Sequence, residues 1–331
     1  MTEAKKITII QAINEAIAEA MAADDKVLVL GEDVADREGG GVVGVTRGLS
    51  TRFGDARVRS TPISEQAIMG AAIGAAINGY KPVAEIMLMN FTTVAMDMIV
   101  NHAAKLRFMS GGQTNVPIVI RMMTGAGIQS AGQHSDFLEA WFAHTPGIKV
   151  VAPSTPEDAK GLMLSAIADP DPVMFIECSR AYGTQAPVPA DLKPIPLGQA
   201  RITREGSDLT IVSYSEIAAR ALKAAAALEK EGISAEVIDL RTISPWDKDA
   251  VLASVGKTGR LVVAHEAVRA FGVGAEIAAT VQEEAFGRLK APVKRLGAPY
   301  TSVPFSPVLE QAFMVSADQI AEAAREVVNY K

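Results

Sequence analysis

Thr61-Pro62-Ile63-Ser64-Glu65-Gln66 is the stretch on which the reading of the fold turns. Just before it, Arg57 to Arg59 reads as a strand. Just after it, Ala67 to Asn78 is a run of small and apolar residues of helical length. Pro62 and Ser64 punctuate the change. One carboxylate, Glu65, therefore stands where a strand hands over to a helix, the place where α/β proteins gather their chemistry. By position alone, the helix macrodipole is enough to account for an acid in a first turn.

The same alternation extends in both directions. Ile9 to Ala22 has helical spacing, Val27 to Leu30 is a buried-strand run, and Gly31 to Gly44 is loop. Pro82 to Leu88 predicts a strand. Thr92 to Phe108 predicts one long helix with Ala95, Met98, Ile99, Ala103 and Leu106 on a single stripe. Ile118 to Ile120, Lys149 to Val151 and Val173 to Glu177 predict further strands. Thr155-Pro156-Glu157-Asp158 is a helix start, with Thr as N-cap, Pro at the first position and acids in the first turn. Prolines 187, 189, 194 and 196 mark a stiff linker. Beyond it, strands at 209–214, 235–240 and 260–264 alternate with helices at 216–230, 247–254, 275–288 and 318–328. Such βα alternation predicts a parallel sheet covered by helices. The domain expectation is 1–187, a linker at 188–199, and 200–331.

The composition narrows the function. The chain has 331 residues, enough for about two domains, and a net charge of −6. A phosphate-backbone binder would be basic, so nucleic acid is not an expected partner. The longest uncharged run, Ala67 to Tyr80, is too short to cross a bilayer, so no membrane partner is expected either. The N-terminal stretch lacks an apolar signal core, and the single cysteine, Cys178, rules out an intramolecular disulfide; both fit a cytoplasmic protein.

Several motif matches carry no chemistry. Gly39 to Gly44 satisfies G-x-G-x-x-G, but eight residues separate it from Leu30, whereas a dinucleotide loop leaves its strand directly. Gly256-Lys257-Thr258 ends like a phosphate loop, yet Val251 occupies the place of its first glycine. Ser64, Ser130 and Ser135 lack a nucleophile-elbow setting. No paired Cys/His spacing suggests zinc.

A combination of motifs is more specific than any of these. Gly31-Glu32-Asp33-Val34, Gly44-Val45-Thr46-Arg47-Gly48-Leu49, Thr61 to Gln66, Pro82 to Phe91, Asp97 to Gly112 and Gln133-His134-Ser135 follow one another. They continue with Ala140 to Gly147, Pro153 to Gly161, Val237 to Thr242, Lys257 to Val262 and Gly274 to Ile277. In this order the whole chain resembles the beta subunits of the thiamine-diphosphate-dependent 2-oxo acid dehydrogenases, of pyruvate or acetoin dehydrogenase type. The resemblance implies an α/β fold: a thiamine-diphosphate-binding (pyrimidine) domain with a parallel sheet, followed by a transketolase C-terminal-like α/β domain.

It also implies roles. Glu65 would activate the cofactor's aminopyrimidine, a task that suits one carboxyl in a dry site. Phe91 falls where an aromatic ring stacks on that pyrimidine, and it also reads as a core residue before a helix. Ile63 and Met87 fall beside the same ring; some relatives carry Gln in place of Met87. His134, in the Gly/Ser-rich loop 125–135, would steer or protonate an incoming lipoyl group. Asp136 stands where many relatives have Gln. In some relatives a monovalent cation, usually potassium, sits below this loop. The matching positions are the carbonyls of Ile118, Ala166 and Ile167 with Asp169 and Asp171, an all-oxygen set suited to a hard cation. Asp169-Pro170-Asp171-Pro172 reads equally as turn chemistry.

A Gly-Asp-Gly motif with a paired Asn, the usual magnesium–diphosphate cradle, does not occur. The resemblance therefore implies an alpha subunit that shares the thiamine diphosphate, holds Mg2+ and completes an α2β2 heterotetramer. A lipoyl acyltransferase core would accept the acyl group, docking on the second domain with its charged residues Glu283, Glu284 and Lys290. Gln133-His134-Ser135 with Met87, Asn90 and Phe91 favours pyruvate, with acetoin next and branched-chain 2-oxo acids after it. A split transketolase would need phosphate-binding histidines, and only His102, His134, His144 and His265 are present. A non-catalytic scaffold subunit would not need Glu65.

Overall fold

The computed structural model describes residues 4–331, which divide into two compact units. The first comprises 4–124 and 141–197, the second 125–140 and 198–331.

In the first unit, β1 (Lys5–Thr8) leads into α1 (Ile9–Ala23), whose start is closed by a capping box between Thr8 and Gln11. There follow β2 (Val27–Gly31), α2 (Leu49–Phe53), β3 (Val58–Ser60), α3 (Glu65–Ile77), β4 (Lys81–Leu88), α4 (Leu106–Met109) and β5 (Val119–Thr124). The next helix, the short α5 (Gly132–Ser135), belongs to the second unit, and α6 (Glu139–Ala143) spans the boundary at residue 140. The first unit continues with β6 (Lys149–Val151), α7 (Pro156–Ala168), β7 (Val173–Cys178) and β8 (Gln185–Val188). Six strands run parallel in the order β6-β7-β5-β4-β2-β3, and β8 pairs antiparallel with β1. Val83 and Val119 point into the core made with α1 and α7. Their neighbours Ala84 and Ile120 are fully buried outside it. With a side-chain period of two, both faces of the sheet are therefore covered, which is why these strands read as unbroken apolar runs.

The segment expected to be one helix, Thr92 to Phe108, is not one. It is a 3₁₀ turn at Met89–Thr93, a π-helical stretch at Met98–Ala103 and then α4. The side chains of Thr92 and Thr93 donate to the carbonyls of Met89 and Asn90, at 2.6 and 2.8 Å, competing with the helical ladder. Ala95, Ile99 and Ala103 of the expected stripe are nevertheless buried.

Gly147 lies at φ 96°, and a Cβ there would sit 2.0 Å from the carbonyl oxygen of Ala104. Gly147→Ala therefore combines backbone strain with a clash against rigid main chain. It is expected to cost about 2–4 kcal/mol, lowering Tm by roughly 5–10 °C in a calorimetric scan.

In the second unit, β9 (Arg201–Arg204), β10 (Leu209–Ser213), α8 (Glu216–Glu229), β11 (Ala235–Asp239), β12 (Thr242–Ser244) and α9 (Lys248–Thr258) come first. β13 (Leu261–Val268), α10 (Val273–Ala285), β14 (Lys294–Ala298), α11 (Pro307–Phe313) and α12 (Ala317–Val328) complete it. The sheet order is β14-β13-β10-β11-β9. It is parallel except for the antiparallel edge strand β9, so the expected parallel sheet is in fact mixed. α8 and α12 pack their alanine faces over it. Residues 125–140 group with this unit because Ala126 packs into a cluster with Ala298, Val303, Phe313 and Met314.

Candidate active site

Glu65 is the first residue of α3 and is 7% exposed, although Ile63, two residues earlier, is 83% exposed. The junction is set by β3, which runs beside β2, and by the Thr61 amide, which donates to the Gly31 carbonyl at 2.9 Å. Gly31 has to be glycine: a Cβ there would lie 2.8 Å from the backbone oxygen and Cβ of Glu85. This close approach delivers the next residue, Glu32, to the neighbourhood of Glu65, and Glu32 is itself buried. Burial pushes the Glu32 carboxyl above the usual carboxylate range. The charges of Glu65 and Asp33 push it the same way, and the Ser64 amide donating to it opposes them. The charge of Glu65 thus disfavours ionisation of Glu32.

Phe91, half-buried, follows β4 in the 3₁₀ turn. Glu32, the Thr61–Glu65 segment and Phe91 thus leave the carboxyl ends of three adjacent strands, β2, β3 and β4. That is where an open parallel sheet binds its ligand. Met87 does not share the exposure of Ile63. It is half-buried and lines a closed cavity of ≈ 10 Å³ with Gly41, Val43, Glu85, Arg121 and Tyr182. The cavity has about the volume that one water occupies. A wider open groove, ≈ 550 Å³, lies on α1, α2 and α7. There Lys160 pairs with Glu15 and Glu19 at 3.8 and 3.3 Å, and Arg52 lies over the Phe53 ring at 4.8 Å.

The glycine-rich loop is organised by its own side chains. Asp36 accepts from the Thr51 amide at 2.8 Å, from the hydroxyls of Ser50 and Thr51 at 2.9 and 2.6 Å, and from the Gly48 amide. These bonds outweigh burial and hold its carboxyl at about 2. A Cβ on Gly40 would collide with Arg47, and one on Gly41 would press on Glu85. The glycines thus serve the loop's packing against the protein.

Below this loop lies a buried charge network that the sequence reading missed. Arg121 on β5 donates through Nε and Nη2 to both oxygens of Glu177 on β7, at 2.8 and 2.7 Å, and through Nη1 to Glu85 on β4. The Tyr182 hydroxyl donates to Glu177 at 2.6 Å. The available signal was one charge inside each of three apolar runs: Ala84-Glu85-Ile86, Ile120-Arg121-Met122 and Ile176-Glu177-Cys178.

The residues matched to a cation site lie in the first unit. Asp169 caps the C-terminus of α7, and Lys149 Nζ lies 2.6 and 2.7 Å from its two oxygens. Asp171 accepts from Arg107 at 2.6 Å. Both carboxylates are therefore already matched by cations. The carbonyl of Ile118 accepts from Val173 at 2.9 Å, and that of Ala166 from Asp169 at 3.4 Å, each with a lone pair to spare. The carbonyls of Ala166 and Ile167, in the last turn of α7, lie at the negative end of a helix dipole.

His134 sits on α5 in the second unit, exposed, while Ser135, Phe137 and Glu139 turn inward. The Tyr214 hydroxyl donates to Glu139 at 2.6 Å, and burial lifts the Glu139 carboxyl to about 7. Glu283, Glu284 and Lys290 are exposed, with Glu284 paired to Lys248 at 2.8 Å. No helix among the described residues is long and apolar enough to cross a membrane.

Residues 5–185 match the family described as transketolase, pyrimidine binding domain, and residues 198–320 the one described as transketolase, C-terminal domain. The beta subunit of acetoin:2,6-dichlorophenolindophenol oxidoreductase from Cupriavidus necator is 50% identical, covering 98% of both chains. The pyruvate dehydrogenase E1 component subunit beta of Rickettsia felis is 46% identical over 98% of this chain and 99% of its own. The 2-oxoisovalerate dehydrogenase subunit beta of Bacillus subtilis is 44% identical over 97% and 98%. A solved structure described as a split gene transketolase, inactive beta4 tetramer, superposes with a TM-score of 0.81 over 98% of this chain and 99% of its own. At 23% identity, it speaks for the fold alone. From its two transketolase domains and from relatives matched end to end, the chain belongs to the transketolase-type family of dehydrogenase beta subunits.

Proposed function

We propose that this chain is the beta half of a thiamine-diphosphate-dependent oxidoreductase that cleaves the bond next to a small carbonyl and passes the acyl fragment to a lipoyl group. The observation that carries this reading is the buried pair Glu65 and Glu32, at the carboxyl ends of neighbouring strands. Thiamine diphosphate supplies a thiazolium carbon that adds to carbonyls once deprotonated, and its aminopyrimidine must first be polarised by a carboxyl group. Glu65 would face the pyrimidine ring and polarise it through a hydrogen bond, with the Glu32 carboxyl, raised by burial, beside it. Ile63 and Phe91 would flank the ring and shield it from water, which strengthens hydrogen bonds in the site. Met87, facing its own small cavity, lies on β4, the strand that leads into the turn carrying Phe91. In the second unit, His134 gives a proton to the lipoyl sulfur released when the disulfide opens. A potassium ion would be held by the carbonyls of Ile118, Ala166 and Ile167, since Asp169 and Asp171 already carry Lys149 and Arg107.

An alpha subunit supplies the Mg2+–diphosphate half of the site in an α2β2 assembly, and a lipoyl acyltransferase core receives the product. Pyruvate and acetoin are the favoured substrates. Both yield the same two-carbon acetyl fragment, one by losing carbon dioxide and the other by losing acetaldehyde. Pyruvate is the sequence-based expectation, and the higher identity to an acetoin relative favours acetoin as its equal rival. The test is to co-purify the chain with its alpha subunit and measure dye reduction with pyruvate, acetoin and 2-oxoisovalerate side by side. The acetyl donors are expected to exceed the branched substrate at least tenfold in kcat/KM, a gap of about 1.4 kcal/mol that pocket size alone can produce. No thiamine-diphosphate-dependent turnover of any of the three would overturn the reading.

A further inference from the structure

The segment carrying His134 is tied down in an unusual manner. Glu310 on α11 is 2% exposed, and its carboxylate accepts from backbone amides of that segment. The Gly127 amide donates to Oε1 at 2.6 Å, and the Gln129 amide reaches both oxygens at 3.2 Å. One residue earlier, the Ala126 amide donates to Glu266 on β13 at 2.8 Å. Two carboxylates from different elements thus face three amide donors within four loop residues. The pinned backbone is strained: Gln129 has φ 58°, and Ala131 has φ 56° with ψ −171°, a region that residues other than glycine avoid. Such strain persists only where the surroundings over-determine it. The His134 amide then donates to the Ala131 carbonyl at 3.3 Å, so the histidine follows the strained residue directly. On its other side, Gly132 packs so closely that a Cβ would lie 3.2 Å from Ser302.

We infer that Glu310 is a positioning residue for His134. By gathering the Gly127 and Gln129 amides onto one buried carboxylate, it holds the loop in its strained form and fixes where the imidazole stands. This rests on the proposed role of His134 in acyl transfer to the lipoyl group. Charged acceptors make stronger bonds to backbone amides than neutral ones, which explains a buried Glu here in place of a Gln. The exposed face of the same helix carries Val308 and Leu309, 77% and 59% exposed, so the pin is not required for helix burial.

The test uses the complete assembled enzyme with Glu310→Gln. The first readout is hydrogen exchange of the peptide covering residues 125–136, measured by mass spectrometry. The second is the ratio of lipoyl acylation to dye reduction, which needs no lipoyl group. Exchange is expected to rise about tenfold in that peptide alone, and acylation to fall about tenfold while dye reduction stays within twofold. Combining Glu310→Gln with His134→Ala should lower acylation no further than His134→Ala does. Unchanged exchange would overturn the pin. Raised exchange with both activities falling together, or with neither falling, would overturn the link to His134. Unimpaired acylation in His134→Ala would overturn the reading of His134, a failure distinguishable because exchange does not depend on it. Glu310→Asp, which keeps the charge but draws the acceptor back by one methylene, provides a second variant if Glu310→Gln does not fold; it is expected to shift both readouts the same way.

Discussion

Glu65→Gln is expected to abolish turnover of the assembled enzyme, by roughly 10²–10⁴-fold in kcat, the range attached to a positioned proton-transfer group. Glutamine keeps the shape of the side chain at the start of α3 and can still accept or donate a hydrogen bond. It has no ionisable proton to share. The substitution also removes one of the charges that raise the Glu32 carboxyl. That provides a readout independent of the reaction. A carboxyl whose folded pKa lies above its unfolded value stabilises the folded state more as pH falls through the folded value. In Glu65→Gln the Glu32 carboxyl moves back toward its ordinary range, so the variant should gain less stability than wild type on going from pH 8 to pH 5. Lost activity with this altered pH profile and unchanged assembly supports the catalytic role. Full activity in the assembled variant would leave Glu65 as a helix-start acid and restore the scaffold reading.

Much of this geometry could be read from the sequence because parallel α/β folds signal locally. Thr155-Pro156-Glu157-Asp158 predicts a helix start since all its signals are in the first turn, and Thr155 does cap α7 through the Asp158 amide. Glu65 stood out because a strand and a helix meet around it. Other features depended on non-local facts. Glu32 gains its raised pKa from burial and from a residue 33 positions away. The helix expected over Thr92 to Phe108 failed because two threonine hydroxyls outcompete the ladder, a choice that periodicity does not encode. That Lys149 and Arg107 pair with Asp169 and Asp171 likewise depends on contacts between residues remote in sequence. Glu310, 176 positions beyond His134, carries no local sign of what it holds.

The largest effect on stability is expected from Arg121→Met. Arg121, Glu177 and Tyr182 are at most 5% exposed, and Glu85 likewise. Removing the guanidinium leaves two carboxylates side by side in a dry strand layer, each having lost its charged partner. Breaking a buried network from one side costs about 3–5 kcal/mol, whereas replacing all its members by apolar groups is often nearly neutral. Arg121→Met should therefore lower Tm by roughly 10 °C, and adding Glu85→Met, Glu177→Leu and Tyr182→Phe should recover most of it. Tyr182 must be included because its hydroxyl would otherwise be buried unpaired. The pH dependence follows from the direction of the Glu85 shift. Burial already lifts that carboxyl above its ordinary range, and the attraction of Arg121 is the main opposing influence. Without Arg121 the folded-state pKa rises further, so the folded state binds protons that the unfolded chain releases. Such a group adds stability as pH falls through its folded pKa and withdraws it as pH rises. The deficit of Arg121→Met relative to wild type should accordingly be larger at pH 8 than at pH 5.5 in urea titrations. A deficit that grew toward acid pH would mean that the two carboxylates are not what the arginine restrains.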